Sequence, residues 1–484
     1  MPNARLSCLF VCALAATPTL GAAQITQAEY AARRDAIVAR IDSGVFFIAG
    51  AREPVDHYPP FKQRAPFRYL TGFLAPDASL VVVRRGGHTT ATLYVQPSNP
   101  RREFYTGERM STEAIMRETG MASARNTQLT ADLDSLAGSG LPLWVASDAE
   151  SDEFIADDSL SFGSALVRTL RAAHPSLVVN DATQILDEMR ARKSPAEVAL
   201  LERAAAVSSL GHKAVLAEIA PGKSEADVQG LMEYTFRRNG GDGFPAYASI
   251  VGSGPNGTTL HYDRDDRVMK SGEVVVMDCA ASVQGYAADI TRTVPVNGTF
   301  TADQRAIYRM IRDAQAAGER QVKPGVTAAA ERDSIGNVII AGLVRLHLID
   351  SAAAVVDAPK GFCGQTGDTC PQWRLFAPHG PSHGLGLDVH DPAQFYYGEK
   401  TFAVGDALTI EPGVYVKADI LSIIPDTPRN RAYAERVRSL IQRYANIGVR
   451  IEDDYVLTAS GLKRMSTAPR EASEIEALMR KTVQ

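Results

Sequence analysis

Between Glu273 and Pro295 the chain runs Glu-Val-Val-Val-Met-Asp278-Cys-Ala-Ala-Ser-Val-Gln-Gly-Tyr-Ala-Ala-Asp289-Ile-Thr-Arg-Thr-Val-Pro. Two apolar, β-rich runs flank a polar turn near Val283-Gln284-Gly285, which predicts a β-hairpin. A symmetric fold-back sets Asp278 opposite Asp289. Directly opposed side chains in an antiparallel pair have Cβ atoms about 4.5–5.5 Å apart, where like charges destabilise. Both carboxylates also lie among apolar residues, where an unpaired charge costs several kcal/mol. A hard divalent cation, or a pair of them, removes both objections. The alternative is a shifted register with one aspartate in a solvated turn, and the hairpin alone leaves both readings open.

The chain has 484 residues, too many for one core, so two domains are expected. The net charge of −5 gives no basis for nucleic-acid binding or for an anionic membrane surface. The first stretch reads as an address. Arg5 is a short basic segment, Leu6 to Ala16 is apolar and holds Cys8 and Cys12, and Gly21-Ala22-Ala23 places small residues before Gln24. Residues 1–23 are therefore predicted to be a signal peptide, and the mature protein to be exported, periplasmic or secreted. No later segment is long and apolar enough to span a membrane, so no membrane association is expected after its removal. Of the remaining cysteines, Cys363 and Cys370 bracket a short loop, a spacing that in an oxidising compartment favours a local disulfide. Cys279, inside the apolar hairpin, reads as a buried free thiol.

Helical spacing from Gln27 to Asp42, strands at Val45–Ala49, Phe67–Thr71, Ser79–Val83 and Thr89–Val95, and helices at Thr112–Thr119, Leu129–Ala137 and Phe162–Ala173 predict an α/β domain over residues 24–180. Ser194-Pro195-Ala196-Glu197 has the form of a capping box opening a long helix to about Ile219. Helices at Glu225–Asn239, Ala302–Val322 and Ala328–Leu346 follow. Short strands are expected around Ala248–Val251, Ala407–Glu411 and Gly448–Leu457. Residues 190–480 thus read as a second, α+β domain.

Three further stretches carry chemistry. His379-Gly-Pro-Ser-His383-Gly-Leu-Gly-Leu-Asp-Val-His390-Asp391 holds three of the nine histidines, and its glycines predict a loop with close backbone approach. So dense a cluster points to metal or proton chemistry rather than core filling. Glu411 ends the apolar run Ala407-Leu-Thr-Ile. In Gly448-Val-Arg450-Ile-Glu452-Asp453-Asp454, alternation puts Arg450, Glu452 and Asp454 on one face. With the hairpin, these supply two Asp, His and two Glu, a set suited to a two-metal site with ions about 3.5–4 Å apart, of the kind used in aminopeptidases.

Over nearly the whole chain after residue 23, the sequence resembles the Xaa-Pro aminopeptidases (aminopeptidase P) of the pita-bread metallopeptidases. The likeness includes the Tyr58 to Phe73 stretch, Lys193-Ser-Pro-Ala-Glu197 and Ile250-Val-Gly-Ser-Gly254. Its most specific pieces are Leu260-His261-Tyr262, Gly285-Tyr-Ala-Ala-Asp-Ile-Thr-Arg-Thr293, Ser382-His-Gly-Leu-Gly-Leu-Asp-Val-His-Asp391 and Arg450-Ile-Glu-Asp-Asp454. It implies a creatinase-like α/β domain followed by a pita-bread catalytic domain, α+β overall. It implies Asp278, Asp289, His383, Glu411 and Glu452 as ligands of two divalent ions, with Asp289 and Glu452 bridging. Glu411, His261 and His390 become catalytic, Glu411 handling the water's proton and the histidines contacting the scissile peptide. His379, Tyr415 and Arg450 line the proline site. The implied substrates are peptides with proline at position two. Family habit favours Mn²⁺, although Co²⁺ and Zn²⁺ also tolerate one imidazole among carboxylates. Homo-oligomerisation is left open. Tyr105 stands where a relative carries Trp in a wall facing its neighbour's substrate, the Cys363–Cys370 loop reads as an insertion, and Lys417 to Asn446 is longer than usual. A prolidase-like dipeptidase shares the same ligands, and a non-catalytic pita-bread scaffold is the reading from another class. That scaffold reading is disfavoured because the full ligand set is retained.

Overall fold

A computed structural model describes residues 24–41, 43–54, 61–146, 162–363, 369–392 and 400–481. The expected signal peptide and residues 58–60 of the Tyr58 to Phe73 stretch lie outside the described residues.

The first unit is one six-stranded mixed sheet. Its strands are β1 (Gly44–Ala49), β2 (Ser79–Arg85), β3 (His88–Val95), β4 (Ala122–Arg125), β5 (Leu143–Val145) and β6 (Val179–Asp181), in the order β4-β3-β2-β1-β5-β6. β1 pairs antiparallel with β2 and parallel with β5. Val45, Phe47 and Ala49 pack on one face with Leu129, Leu133, Leu166 and Leu170, whereas Phe46 and Ile48 join the larger core on the other. Helices cover both faces, so the central strand is apolar at every position rather than at alternate ones.

One sequence expectation fails here. Phe67–Thr71 is not a strand but part of helix α2 (Ala65–Thr71), α1 being Gln27–Ala39. Pro66 in the first turn and Gly72 as a left-handed cap bound the segment, and Phe67 and Leu70 are buried at helical spacing. Local turn chemistry and packing override the β preference of its aromatic residues.

Helices α3 (Pro100–Thr106), α4 (Thr112–Thr119), α5 (Leu129–Ala137), α6 (Phe162–Ala173) and α7 (Thr183–Ala191) complete the unit. The second unit opens with α8 (Pro195–Glu218), whose N-cap Ser194 and Glu197 form the expected reciprocal capping box. α8 packs on α9 (Glu225–Arg238), and α10 (Ala302–Gln321) on α11 (Ala328–Arg345). Between these pairs lie short antiparallel sheets. One has the order β11-β8-β7, from Thr291–Pro295, Val274–Asp278 and Ile250–Ser253. The hairpin tip is β9 (Ser282–Val283) and β10 (Tyr286–Ala287). After the two-stranded β12 (Val355–Asp357) and β13 (Thr369–Pro371), β14 (Ala407–Ile410) pairs with β17 (Asp453–Thr458), and β15 (Gly413–Val416) with β16 (Ile447–Arg450). α12 (Pro428–Tyr444) fills the long polar segment before β16.

The hairpin register differs from the symmetric expectation. Gln284 and Gly285 both have positive φ (49° and 77°), the signature of a two-residue type I′ turn. The turn therefore centres one residue later, and Asp278 pairs with Thr291 rather than with Asp289. Likewise Gly448–Leu457 is not one strand. β16 ends at Arg450 and β17 begins at Asp453, so Arg450 and Asp454 belong to different sheets, with Glu452 at the break. Cys363 and Cys370 are disulfide-bonded with Cα atoms 5.5 Å apart, and Cys279 is a buried free thiol.

Candidate metal centre

Four of the five candidate ligands sit where a strand stops, so rigid backbone aims a free side chain. Asp278 ends β8, Asp289 lies between β10 and β11, Glu411 follows β14, and Glu452 occupies the break between β16 and β17. His383 stands on the glycine-containing loop, stitched to β14 by Thr409 N–H donating to His383 O (2.9 Å) and Glu411 N–H to Pro381 O (2.7 Å). Glu452 N–H donates to Thr291 O (3.1 Å), joining the two halves of the site.

The side chains converge. His383 Nε2 lies 3.5 Å from Asp289 Oδ2, 3.6 Å from Glu411 Oε1 and 3.8 Å from Glu452 Oε1. Ligand atoms of Asp289, His383 and Glu452 all fall within 4.8 Å of one another. Asp278 joins through Tyr247, whose hydroxyl is 2.5 Å from Asp278 Oδ1 and 2.7 Å from Asp289 Oδ1. A hydroxyl has one proton to donate, so one of these two carboxylates needs another proton or a cation.

The electrostatics make the same demand. Burial, reinforced by the Asp278 charge, pushes the Asp289 carboxyl up. Burial, with Asp289 and Glu411 nearby, pushes Glu452 well up. Burial carries Glu411 to about 8, aided by Asp289 and Asp278 and opposed by His383 and Arg450. Burial works against a charged His383, yet Asp289 and Glu411 hold it up at about 9. Four carboxylates thus crowd one imidazole and one guanidinium in a buried space. Carboxylate oxygens with one imidazole nitrogen are a suitable donor set for divalent ions, and such ions would relieve the shared charge. The residues present fit a metal centre.

Beside it lies a hydrogen-bonded wall. Arg450 donates from Nη2 to Asp278 Oδ2 (2.5 Å), from Nη1 to Tyr415 Oη (2.8 Å) and from Nε to Thr291 Oγ1 (3.1 Å). Tyr415 Oη is 2.9 Å from His379 Nε2, and His379 Nδ1 is 2.7 Å from Gly380 O. One tautomer satisfies the whole chain, with His379 protonated on Nδ1 and accepting from Tyr415 on Nε2. Burial and the Arg450 charge push His379 down to about 3, consistent with that neutral ring. Gly413 is required here, since a Cβ would lie 2.5 Å from Tyr415 Oη and 2.8 Å from His379 Nε2. His390 packs its ring 4.1 Å from that of His383, and burial with the His383 and His261 charges lowers it to about 3. His261 is exposed on the turn after the short helical segment Gly254–Thr258.

Two buried residues, Thr291 and Asp454, and the half-buried Tyr247 complete the site without having been assigned a role from sequence. Thr291 donates to Glu452 Oε2 (2.6 Å), Asp454 accepts the Asp289 N–H (3.0 and 3.2 Å), and Tyr247 joins the two aspartates. Thr291 and Asp454 lie inside motifs already quoted. Nothing in the spacing around Tyr247 marks it.

Comparison with known proteins follows from this geometry. The family model described as "Metallopeptidase family M24" matches residues 199–459, and "Aminopeptidase P, N-terminal domain" matches residues 30–140. The Xaa-Pro aminopeptidase of Escherichia coli is 30% identical over 94% of this chain and 98% of its own length. A solved E. coli aminopeptidase P variant in complex with substrate superposes with a TM-score of 0.78 at 29% identity, covering 95% of this chain and 99% of that one. A zinc-substituted form of E. coli aminopeptidase P in complex with product gives a TM-score of 0.77 at 29% identity, with the same coverage.

Proposed function

Since the chain belongs to metallopeptidase family M24 and carries an aminopeptidase P N-terminal domain ahead of it, we propose that it removes the N-terminal residue from peptides whose second residue is proline. The observation that carries the reading is the convergence of Asp278, Asp289, His383, Glu411 and Glu452 on one buried space beside the His379–Tyr415–Arg450 wall.

The five ligands are assigned to two divalent ions. Such ions supply positive charge that acidifies water and polarises a carbonyl. Glu411 takes the proton of the attacking water on its carboxylate and passes it to the leaving proline nitrogen. His390 and His261 donate hydrogen bonds to the scissile carbonyl oxygen as charge develops on it. His379, Tyr415 and Arg450 bound the space for the proline ring. The nitrogen before proline is tertiary and crowded, so a site shaped for it selects against other residues. Stripping the purified protein with a chelator should abolish cleavage of an Xaa-Pro-Yaa peptide, and added divalent metal should restore it. Full activity in protein shown by elemental analysis to be metal-free would overturn the assignment.

Three finer readings accompany this one. Manganese is the proposed native metal, supported by the oxygen-rich donor set; metal analysis of protein purified without added metal should find it, and stoichiometric zinc would contradict it. Export is proposed from residues 1–23, with the mature terminus at or near Gln24; an intact Met1 on soluble cytosolic protein would contradict it. Self-association is supported by Phe104 and Tyr105, 88% and 76% exposed on α3, which buries none of its own residues; a monomer mass by light scattering would rule it out.

A further inference from the structure

The loop that carries His390 is closed by one buried carboxylate. Asp391, next in sequence, accepts the Leu387 N–H on Oδ2 (2.7 Å) and lies 3.4 Å from the Asp388 N–H. Its own N–H donates to Gly384 O (2.8 Å), and Gly386 N–H donates to Asp388 O (3.1 Å). Residues 384–391 thereby form a tight turn. A Cβ at Gly386 would run into Asp391 and lie 3.0 Å from Lys193 Cε. One side of the turn is tied to the metal centre, since Gly386 O accepts the Ala287 N–H (2.8 Å) two residues before Asp289.

Both cations facing Asp391 come from the segment that joins the two units. Arg190, in the last turn of α7, places Nη2 3.1 Å from Asp391 Oδ2 and 2.6 Å from Asp388 Oδ2. Lys193 Nζ donates to Arg190 O (2.5 Å) and Asp391 O (3.3 Å) and lies 3.9 Å from Asp391 Oδ1. Among the described residues that oxygen has no hydrogen-bond partner. Arg190, Lys193 and Asp391 are all buried, so each charge depends on the others. The segment itself is anchored. Lys193 N–H donates to Gly405 O (2.8 Å), Arg192 bridges to Asp406, and Ser194 caps α8.

We infer that Arg190 and Lys193 are positioning residues for His390, acting through Asp391 to hold the 384–391 turn with the imidazole toward the metal centre. The inference rests on the proposed role of His390 at the scissile carbonyl. Arg190 and Lys193 touch neither ligands nor the proline wall, so their effect is indirect. Because a misplacement of about 1 Å can cost on the order of 10²-fold in rate, loss of the clamp reads out as turnover.

The test uses metal-loaded full-length enzyme and an Xaa-Pro-Yaa peptide. Arg190→Gln, Arg190→Lys, Asp391→Asn, His390→Ala and the Arg190→Gln/His390→Ala double variant are compared for kcat, KM and metal content. Arg190→Gln should lose about ten- to a hundred-fold in kcat, with KM and metal content unchanged. Arg190→Lys should recover most of that loss. The double variant should be no slower than His390→Ala, because the clamp has nothing left to position. Should the Arg190→Gln variant fail to fold, Asp391→Asn carries the same cycle. Losses that multiply in the double variant, or full kcat in folded Arg190→Gln, overturn the inference while leaving the His390 role intact. Full kcat in His390→Ala overturns that role and the inference together.

Discussion

Replacing Thr291 by valine tests whether the buried hydrogen bonds behind the ligands set metal affinity. Thr291 is fully buried at the start of β11, donates to Glu452 Oε2 at 2.6 Å and accepts from Arg450 Nε at 3.1 Å. Valine has nearly the same shape and suits a strand equally well, so the backbone should hold. What is lost is a hydrogen bond to a charged acceptor, about 1.5–3 kcal/mol, with two buried groups left short of a partner. Loss of a partner behind a metal ligand costs about 10–100-fold in metal affinity, or about 1.4–2.8 kcal/mol, so the two estimates agree. The assay is metal titration of chelator-stripped protein by calorimetry, with thermal unfolding of the stripped form recorded alongside. Thr291→Val should bind metal at least ten-fold more weakly. Unchanged metal affinity in a folded Thr291→Val protein would show that the hydroxyl serves packing alone, and the argument from the ligand shell would fail.

Further outcomes follow from other buried groups. Glu331, on α11, accepts from Ser382 at 2.9 Å, and burial raises it to about 8, against an ordinary glutamate value of about 4.3. Between those values the folded state binds one proton more than the unfolded state, so stability falls as pH rises, by up to about 1.4 kcal/mol per pH unit. Glu331→Gln should remove that slope and stand above wild type at pH 8; parallel stability–pH curves would refute this. Glu411→Gln should keep the fold yet lower kcat by about 10²–10⁴-fold through lost proton transfer, as read by steady-state kinetics; a loss under about two-fold would remove Glu411 from proton handling. Thiol titration of denatured, unreduced protein beginning at Gln24 should find Cys279 alone, the short Cys363–Cys370 closure contributing about 2–3 kcal/mol; three titratable thiols would refute the pairing.

The element pattern was largely legible because it is written in local signals. Ser194 and Glu197 mark a helix start by chemistry that needs no tertiary context, and α8 begins there. Phe67–Thr71 misled because its aromatic residues favour strands, while what bounds it, Pro66 and Gly72, acts on backbone angles. The hairpin register turned on one residue: Gln284 adopts positive φ beside Gly285, which moves the turn and offsets the two aspartates. The candidate ligands could be named from sequence because they lie in glycine- and charge-punctuated motifs. Tyr247 could not, since its role exists only where a loop residue meets two strand ends. The pairing of Arg190 and Lys193 with Asp391 was hidden for the same reason, as that partner is roughly 200 residues away in the chain.

Specificity for proline at position two is open to a direct comparison of substrates. Purified, metal-loaded enzyme is incubated with matched Xaa-Pro-Yaa and Xaa-Ala-Yaa tripeptides and with the Xaa-Pro dipeptide, and released free amino acids are quantified. Release of the N-terminal residue is expected from the proline tripeptide and almost none from the alanine one. Equal cleavage of the two tripeptides contradicts that specificity, and cleavage of the dipeptide alone indicates a dipeptidase instead.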